Sequence, residues 1–372
     1  MGRNRLVETF STIVGIDSVS KNEGKVHEHL IQVFESLGLE VTEDQSKKQT
    51  GLGGNNIIAT LYGTKEVKPL FFSCHTDTVT PGIGIEVEER EGILYSKGET
   101  ILAADDKAGI AIMVESIQRI LEEGIETGIL EFVLSPGEEI GLIGAEALDI
   151  HLLESDIGYV LDNGGPVGKS IVASPTLYMY EVVIHGKAAH AGLEPEKGIS
   201  TVHILAEALK DIKTGRLDEE TTANIGQIHG GDATNVVMDH LNLKGEVRSI
   251  SKAKADQLIE EMKQAFTTAA EKFGGTVEIN VELKATGFRL LEDEPVITLL
   301  KEAVGTIGRD YQSEVSGGGS DANVFNAKGK RVTNVSIGYD KIHTIDECIP
   351  VAEMEKAVQL VLALVQHSPK KE

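Results

Sequence analysis

The chain is 372 residues long, above the roughly 250–300 at which a single hydrophobic core stops growing, so two domains are expected. Apolar residues make up 41% and charged residues 25%, with 35 basic against 59 acidic side chains and a net charge of −24. That acidity repels phosphate backbones and anionic lipid, so nucleic acid and membrane surfaces are excluded as partners.

Two cysteines, Cys74 and Cys348, are too few for a disulfide framework. The opening residues Met1–Leu6 are polar, without an apolar signal region. The longest apolar run, near Leu360 to Val365, is far short of a membrane span. A reducing cytoplasm is the expected compartment. Trp is absent and aromatics are only 4%, so the core is expected to rest on Leu, Ile, Val and Ala.

Apolar spacing predicts helices over 3–14 and 25–37, the second with Val26, Leu30, Val33, Phe34 and Leu37 on one side. Short apolar runs predict strands over 56–62 and 70–73. A helix over 107–122 carries Ile110, Met113, Ile117 and Leu121 at three- and four-residue steps. Strands follow over 128–134 and 157–161. This alternation points to an α/β sheet with helices on both faces. From about Tyr178 the texture changes, with strands over 178–185 and 242–250 and helices over 200–213 and 255–273. Two helices on an antiparallel sheet make an α+β insertion over 178–287, between catalytic parts at 1–177 and 288–372. The α/β texture returns with a helix over 295–307, a strand over 332–337 and a helix over 353–366.

The chemistry-bearing residues cluster at the ends of these strands. Phe71-Phe72-Ser73-Cys74-His75-Thr76-Asp77 runs from a buried strand into a polar turn, with His and Asp two residues apart. A metal-bound imidazole needs its second nitrogen fixed by an acceptor, and a nearby carboxylate can do this. Asp105-Asp106 precede the helix from Lys107. One of them can cap that helix, leaving the other free to bridge ions. Glu138-Glu139 follow a strand, and adjacent carboxylates there need compensating cations or solvent. Asp162 closes another strand, and His343 follows a fifth. In an open α/β sheet, strand carboxyl ends face one crevice. Two His and three carboxylates suit a pair of borderline divalent ions, Zn²⁺ first, with Co²⁺ or Mn²⁺ as alternatives.

At these residues the sequence resembles the co-catalytic zinc peptidase family that includes peptidase T, carboxypeptidase G and the aminoacylases. The peptidase-T-like branch is the nearest, on His75-Thr-Asp77-Thr-Val, Ala104-Asp105-Asp106-Lys107-Ala-Gly109 and Glu138-Glu139-Ile-Gly141-Leu. The resemblance spans the chain and implies a mixed-sheet di-zinc exopeptidase fold with an inserted dimerisation or lid domain, and a homodimer formed through that insertion. It implies one ion held by His75 and Asp162 and a second by Glu139 and His343, with Asp105 bridging. Asp77 would orient His75, and Glu138 would be the general base and later the acid. A cis peptide after Asp105 is implied as well. In the insertion, His190 of Gly186-Lys187-Ala188-Ala189-His190-Ala191-Gly192 matches a His that polarises the scissile carbonyl, often from a partner subunit. Asn235, Arg248, Gly318 and Gly319 match segments that bind substrate, the Arg suited to a carboxylate fork. Asp rather than Glu at 162 leans toward aminopeptidases and dipeptidases. The resulting expectation is a di-metal aminopeptidase that removes the N-terminal residue of tripeptides. The alternatives are an N-acyl amino acid amidohydrolase or carboxypeptidase of the same metal chemistry, or an inactive peptide-binding protein.

Three further signals are set aside. Gly164-Gly165-Pro166-Val167-Gly168-Lys169-Ser170 is one residue short of a phosphate-binding loop and is followed by a strand-like run. Ser18-Val19-Ser20-Lys21 matches a serine acylase pattern without its Lys-Thr-Gly partner, and reads as a helix-capping loop. Cys74 reads as a small buried hydrophobe rather than a nucleophile.

Overall fold

The structure, a computed structural model, describes residues 2–371, so Met1 of the N-terminal stretch lies outside it. Within that range the chain forms two compact units. One runs up to Ala173 and adds Leu290–Ser316 and the residues from Ser320 onward; the other is Ser174–Arg289 with Gly317–Gly319.

In chain order the main elements are α1 (Gly2–Val14), α2 (Gly24–Ser36), β1 (Glu40–Glu43), β2 (Ile57–Leu61), β3 (Leu70–His75), α3 (Ala104–Glu123), β4 (Leu130–Ser135), β5 (Ile157–Asn163) and β6 (Lys169–Ser174). Then come β7 (Thr176–His185), α4 (Thr201–Ala208), β8 (Thr221–Gly230), β9 (His240–Ser249), α5 (Lys252–Phe273) and β10 (Thr276–Ala285). The chain closes with α6 (Pro295–Thr306), β11 (Gln312–Val315), α7 (Asp321–Ala327), β12 (Arg331–Ser336) and α8 (Val351–Gln366).

The first unit is built on a mixed sheet of order β1-β2-β4-β3-β5-β12-β6, with β11 beside β6. Its centre is parallel: β3 pairs with β4 and with β5, and β5 with β12. Strands buried on both faces read as continuous apolar runs, and β3 and β4 are buried along their whole length. Helices α1, α3, α6 and α8 pack together, while α2 packs against β1 and β2 and α7 against β5 and β12.

The core departs from the expected aliphatic packing. Phe72 stacks on Phe132 and Tyr159 at ring-centroid distances of 5.8 and 6.0 Å, and Phe71 meets Phe325 edge-on at 5.1 Å. Few aromatics are present, but several are concentrated on the parallel strands and on both faces of their sheet. Space for one of them is made by Gly158 on β5, where a Cβ would fall 2.2 Å from the Phe71 ring.

The second unit is an antiparallel sheet of order β8-β9-β7-β10, with the short strand Gly215–Arg216 outside β8. Helices α4 and α5 bury Ile204, Leu205, Ile259, Met262 and Phe266 in one cluster with Val182, Ile184, Leu241 and Leu243. Helix α5 begins where Ser251 accepts a hydrogen bond from the Lys254 N–H, and it ends at Gly274 in the left-handed region. Strands β8 and β10 are absent from the sequence reading, as are β1 and the hairpin Val87–Arg90/Ile93–Ser96. The expected 200–213 helix stops at Ala208.

Overpacking a filled core typically costs about 1–3 kcal/mol. Gly158→Ala is therefore expected to lower stability by at least that amount, read as a lower thermal midpoint. An unchanged midpoint would show that the Phe71 ring is free to shift.

Candidate metal centre

Because β3, β4, β5 and β12 run parallel, their carboxyl ends emerge along one edge. His75 is the last residue of β3, Glu138 and Glu139 follow β4, Asp162 is the penultimate residue of β5, and His343 lies beyond β12. Asp105 stands at the entry to α3. Asp105 and Asp106 have non-helical backbone angles and are joined by a cis peptide bond.

The geometry centres on Asp105, whose two carboxylate oxygens face different imidazoles. Oδ1 is 2.8 Å from His75 Nε2, and that nitrogen is 3.8 Å from Asp162 Oδ1. Oδ2 is 3.4 Å from His343 Nε2, which is 2.9 Å from Glu139 Oε1. Three clusters of possible ligand atoms result, each within 4.8 Å: His75, Asp105 and Asp162; Asp105, Glu139 and His343; and His75, Glu138 and Glu139. The five side chains expected to be ligands are therefore brought together, with Glu138 beside them.

The electrostatics follow from this crowding of acids around two imidazoles. Burial alone would lower His75, yet hydrogen bonding to Asp105, the charge of Asp162 and the nearby Asp77 carboxylate as acceptor hold it well above the usual imidazole range. His343 is raised to about 10 by hydrogen bonds to Asp105 and Glu139. Burial pushes Asp105 up, but the hydrogen bonds from His343 and His75 outweigh it and hold this carboxyl low. Glu138 and Asp162 are pushed well above the carboxylate range, first by burial and then by neighbouring carboxylates. The raised imidazoles and raised carboxyls share one cause, a surplus of acidic groups among the donors. Imidazole and carboxylate donors at this spacing fit divalent ions of the zinc type.

Supporting contacts fix the donors. The second nitrogen of His75, Nδ1, donates to the Asp77 main-chain oxygen at 2.9 Å, leaving Nε2 to face the centre. The expected partner, the Asp77 carboxylate, is farther from Nδ1, at 3.5 Å. That carboxylate instead accepts the N–H groups of Glu138 and Glu139 at 2.9 and 3.3 Å and the Ser20 hydroxyl at 2.6 Å. Ser18 donates to the Thr76 main-chain oxygen at 2.8 Å. The Ser18–Lys21 segment thus braces the end of β3, which corrects its reading as a helix-capping loop: α2 has no side-chain cap. Neither Asp of the Asp105-Asp106 pair caps α3 either. Asp106 Oδ2 accepts the His75 N–H at 3.2 Å. Gly109 is required for close approach, since a Cβ there would lie 2.3 Å from Asp106 Oδ1 and 2.6 Å from Cys74 Sγ. Cys74 is buried and its thiol is raised well above its usual value, chiefly by burial, as expected of an inert side chain. The run after Gly164–Lys169 is strand β6, so no phosphate-binding helix starts there.

Sequence reasoning missed Ser20, Asn334, Tyr339, Asp321 and Glu347. Asn334 exchanges two hydrogen bonds with the Asp162 main chain at 3.1 and 2.6 Å, and Tyr339 donates to Asp162 Oδ1 at 2.8 Å. Asp321 is buried, accepts a hydrogen bond from Ser135, and is raised to about 6, mainly by burial.

The remaining candidates belong to the second unit. His190 is exposed, its Nδ1 accepts the Gly192 N–H at 3.2 Å, and it bridges Val236. Asn235 is exposed, and its main-chain oxygen accepts the Ala191 N–H at 2.9 Å. The Arg248 fork expected for a substrate carboxylate is taken up by Glu246 at 2.9 and 3.0 Å, with a further bond to the Gly317 main-chain oxygen at 2.5 Å. Gly318 and Gly319 are exposed, and the Gly318 main-chain oxygen accepts the Ser174 hydroxyl at 2.7 Å.

Comparison with known proteins follows the same division. Residues 56–169 match the model of Peptidase family M28, and residues 173–274 match that of a Peptidase dimerisation domain. The chain is 43% identical to YqjE of Bacillus subtilis over 370 residues, all of both chains. It superposes on the crystal structure of aminopeptidase PepT from Bacillus cereus with a TM-score of 0.96 at 42% identity, covering 98% of each chain. For a tripeptidase from Staphylococcus aureus the values are 0.94 and 39%, again over 98% of each chain. At this identity and coverage, the chain belongs to the peptidase family of these relatives, in its peptidase-T-like branch.

Proposed function

We propose that this enzyme is a di-metal aminopeptidase that removes the N-terminal residue of short peptides, tripeptides first. The observation that carries the metal reading is the division of Asp105, one oxygen toward His75 and Asp162 and the other toward His343 and Glu139. Relatives described as an aminopeptidase and a tripeptidase support the substrate class. Zn²⁺ is the first choice of ion, with Co²⁺ or Mn²⁺ as alternatives, because the donors are imidazole and carboxylate. When bound, the ions would polarise the scissile carbonyl and lower the pKa of a water held between them.

The chain's own residues do the rest. Glu138 is the general base: its carboxylate takes a proton from the attacking water and returns it to the departing amine. A base raised above the ordinary carboxylate range draws that proton more strongly, and bound cations would retract part of the rise. Asp77 is a positioning residue, tying His75 to the Glu138-Glu139 turn. Substrate binding is assigned to His190, Asn235, Arg248, Gly318 and Gly319 on the motif resemblance. For Arg248 this requires a substrate carboxylate to displace Glu246.

The match to a dimerisation domain over 173–274 supports a homodimer through the second unit. No helix among the described residues is long and apolar enough to cross a membrane, and Cys74 and Cys348 are free. We assign the protein to the cytoplasm on its cysteine usage.

Glu138→Ala is expected to retain metal and lose about 10²–10⁴-fold or more in turnover of tripeptides. Unchanged hydrolysis would remove Glu138 from its role. Tripeptides with a free amine are expected to be cleaved and N-acylated ones spared; turnover confined to the blocked substrates would sink the aminopeptidase reading.

Ion binding should also release protons, since His75 and His343 hold them in the ion-free protein and must lose them to become ligands. Apparent affinity for zinc should therefore rise with pH through neutrality toward about 10, the His343 value, and fall toward acid. Calorimetric titrations in two buffers of different protonation enthalpy read this directly, and a pH-independent affinity would contradict it.

A further inference from the structure

Between β12 and α8 the chain makes an excursion, Ile337–Pro350, that is closed on itself. Asp340 and Cys348 exchange main-chain hydrogen bonds of 2.9 and 3.1 Å, and Cys348–Pro350 pairs with the strand Ile93–Ser96. Residues 340–346 are exposed. Lys341 and His343 both take left-handed backbone angles, with φ of 55° and 60°, a conformation that side-chain-bearing residues adopt only when their surroundings hold them there.

Three side chains spaced four residues apart reach from this loop to the ends of strands and to the start of α3. Tyr339 is buried and donates to Asp162 Oδ1 at 2.8 Å, the same oxygen that faces His75. Its main-chain oxygen accepts the Gly165 N–H at 2.9 Å, just past β5. His343 faces Glu139 and Asp105. Glu347 is buried at 1% exposure, and its carboxylate accepts three main-chain N–H groups, from Leu102 at 2.8 Å, Ala103 at 2.9 Å and Asp105 at 3.0 Å. Neither oxygen can be replaced by an amide NH₂ without facing a donor with a donor, because Oε2 takes two of these bonds and Oε1 the third. The turn that presents Asp105 is therefore held by acceptor oxygens from the loop that also carries His343.

We propose that the Ile337–Pro350 loop is a preorganising clamp, in which Tyr339 and Glu347 are positioning residues for Asp162 and Asp105 and so set the geometry of both cation positions. The inference deepens the two-cation reading and rests on it. Partners that hold a ligand without touching the ion typically govern 10–100-fold in metal affinity. A residue that only filled space would affect folding stability and leave ligand geometry alone.

The test uses Tyr339→Phe, which removes one hydroxyl, together with Glu347→Gln. Zinc binding is measured by calorimetry, the visible absorption of the cobalt-substituted protein reports ligand geometry, and the thermal midpoint of the ion-free protein serves as the control. Tyr339→Phe is expected to fold with a modestly lower midpoint, weaken one of two zinc-binding events by about 10–100-fold, shift the cobalt spectrum, and lower kcat with little change in KM. Glu347→Gln is expected to weaken both events, because Asp105 is shared. Wild-type protein that binds two ions while Tyr339→Phe binds both with unchanged affinity and an unchanged cobalt spectrum overturns the clamp and leaves the two-cation reading standing. Wild-type protein that binds no ions overturns both.

Discussion

The structure turns on the crowding of carboxylates around two imidazoles. Asp105 sits at the centre, and Glu138, Glu139 and Asp162 lie close enough for ligand atoms to fall within 4.8 Å of one another in overlapping groups. Buried like charges cannot all remain ionised without cations among them. That demand shows in the site's electrostatics: His75 and His343 are held above the usual imidazole range, and Glu138 and Asp162 above the carboxylate range. Imidazole and carboxylate donors packed this closely are the chemistry that divalent cations bind.

The rest of the catalytic unit serves that convergence. Parallel strands deliver four donors to one edge, and side chains from other segments then fasten them. Asp77 is the central fastener: its main-chain oxygen holds His75, and its carboxylate holds the Glu138-Glu139 turn, with Ser20 behind it. Asn334 joins β12 to the Asp162 main chain from the other side. Behind these contacts, Phe72, Phe132 and Tyr159 stack on one face of the sheet, and Phe71 meets Phe325 on the other.

What could be read beforehand follows from which signals repeat. His75, Asp105, Glu139, Asp162 and His343 were legible because each sits where an apolar run meets polar residues, a place that topology makes functional. The helices α2, α3 and α5 were legible from their periodicity. Strand β10 carries a clear alternation, Val277, Ile279 and Val281, and could have been found. Strand β8 could not, since most of it is exposed and it lacks the alternation of a buried face. Ser20, Tyr339 and Glu347 left no trace because a single hydroxyl or acid in a loop has no spacing to betray it. Their partners lie 57, 177 and 242 to 245 residues away. For Arg248 the motif pointed to a substrate carboxylate, and in the folded chain its guanidinium donates to Glu246, two positions away.

The most direct measurement of the central claim is anomalous diffraction at the zinc absorption edge, from crystals of the full chain grown with zinc. Two peaks are predicted, one on each side of Asp105 and about 3.5–4 Å apart, the first against His75 and Asp162 and the second against Glu139 and His343. A single peak, or ions bound elsewhere with Asp105 touching neither, would contradict the account.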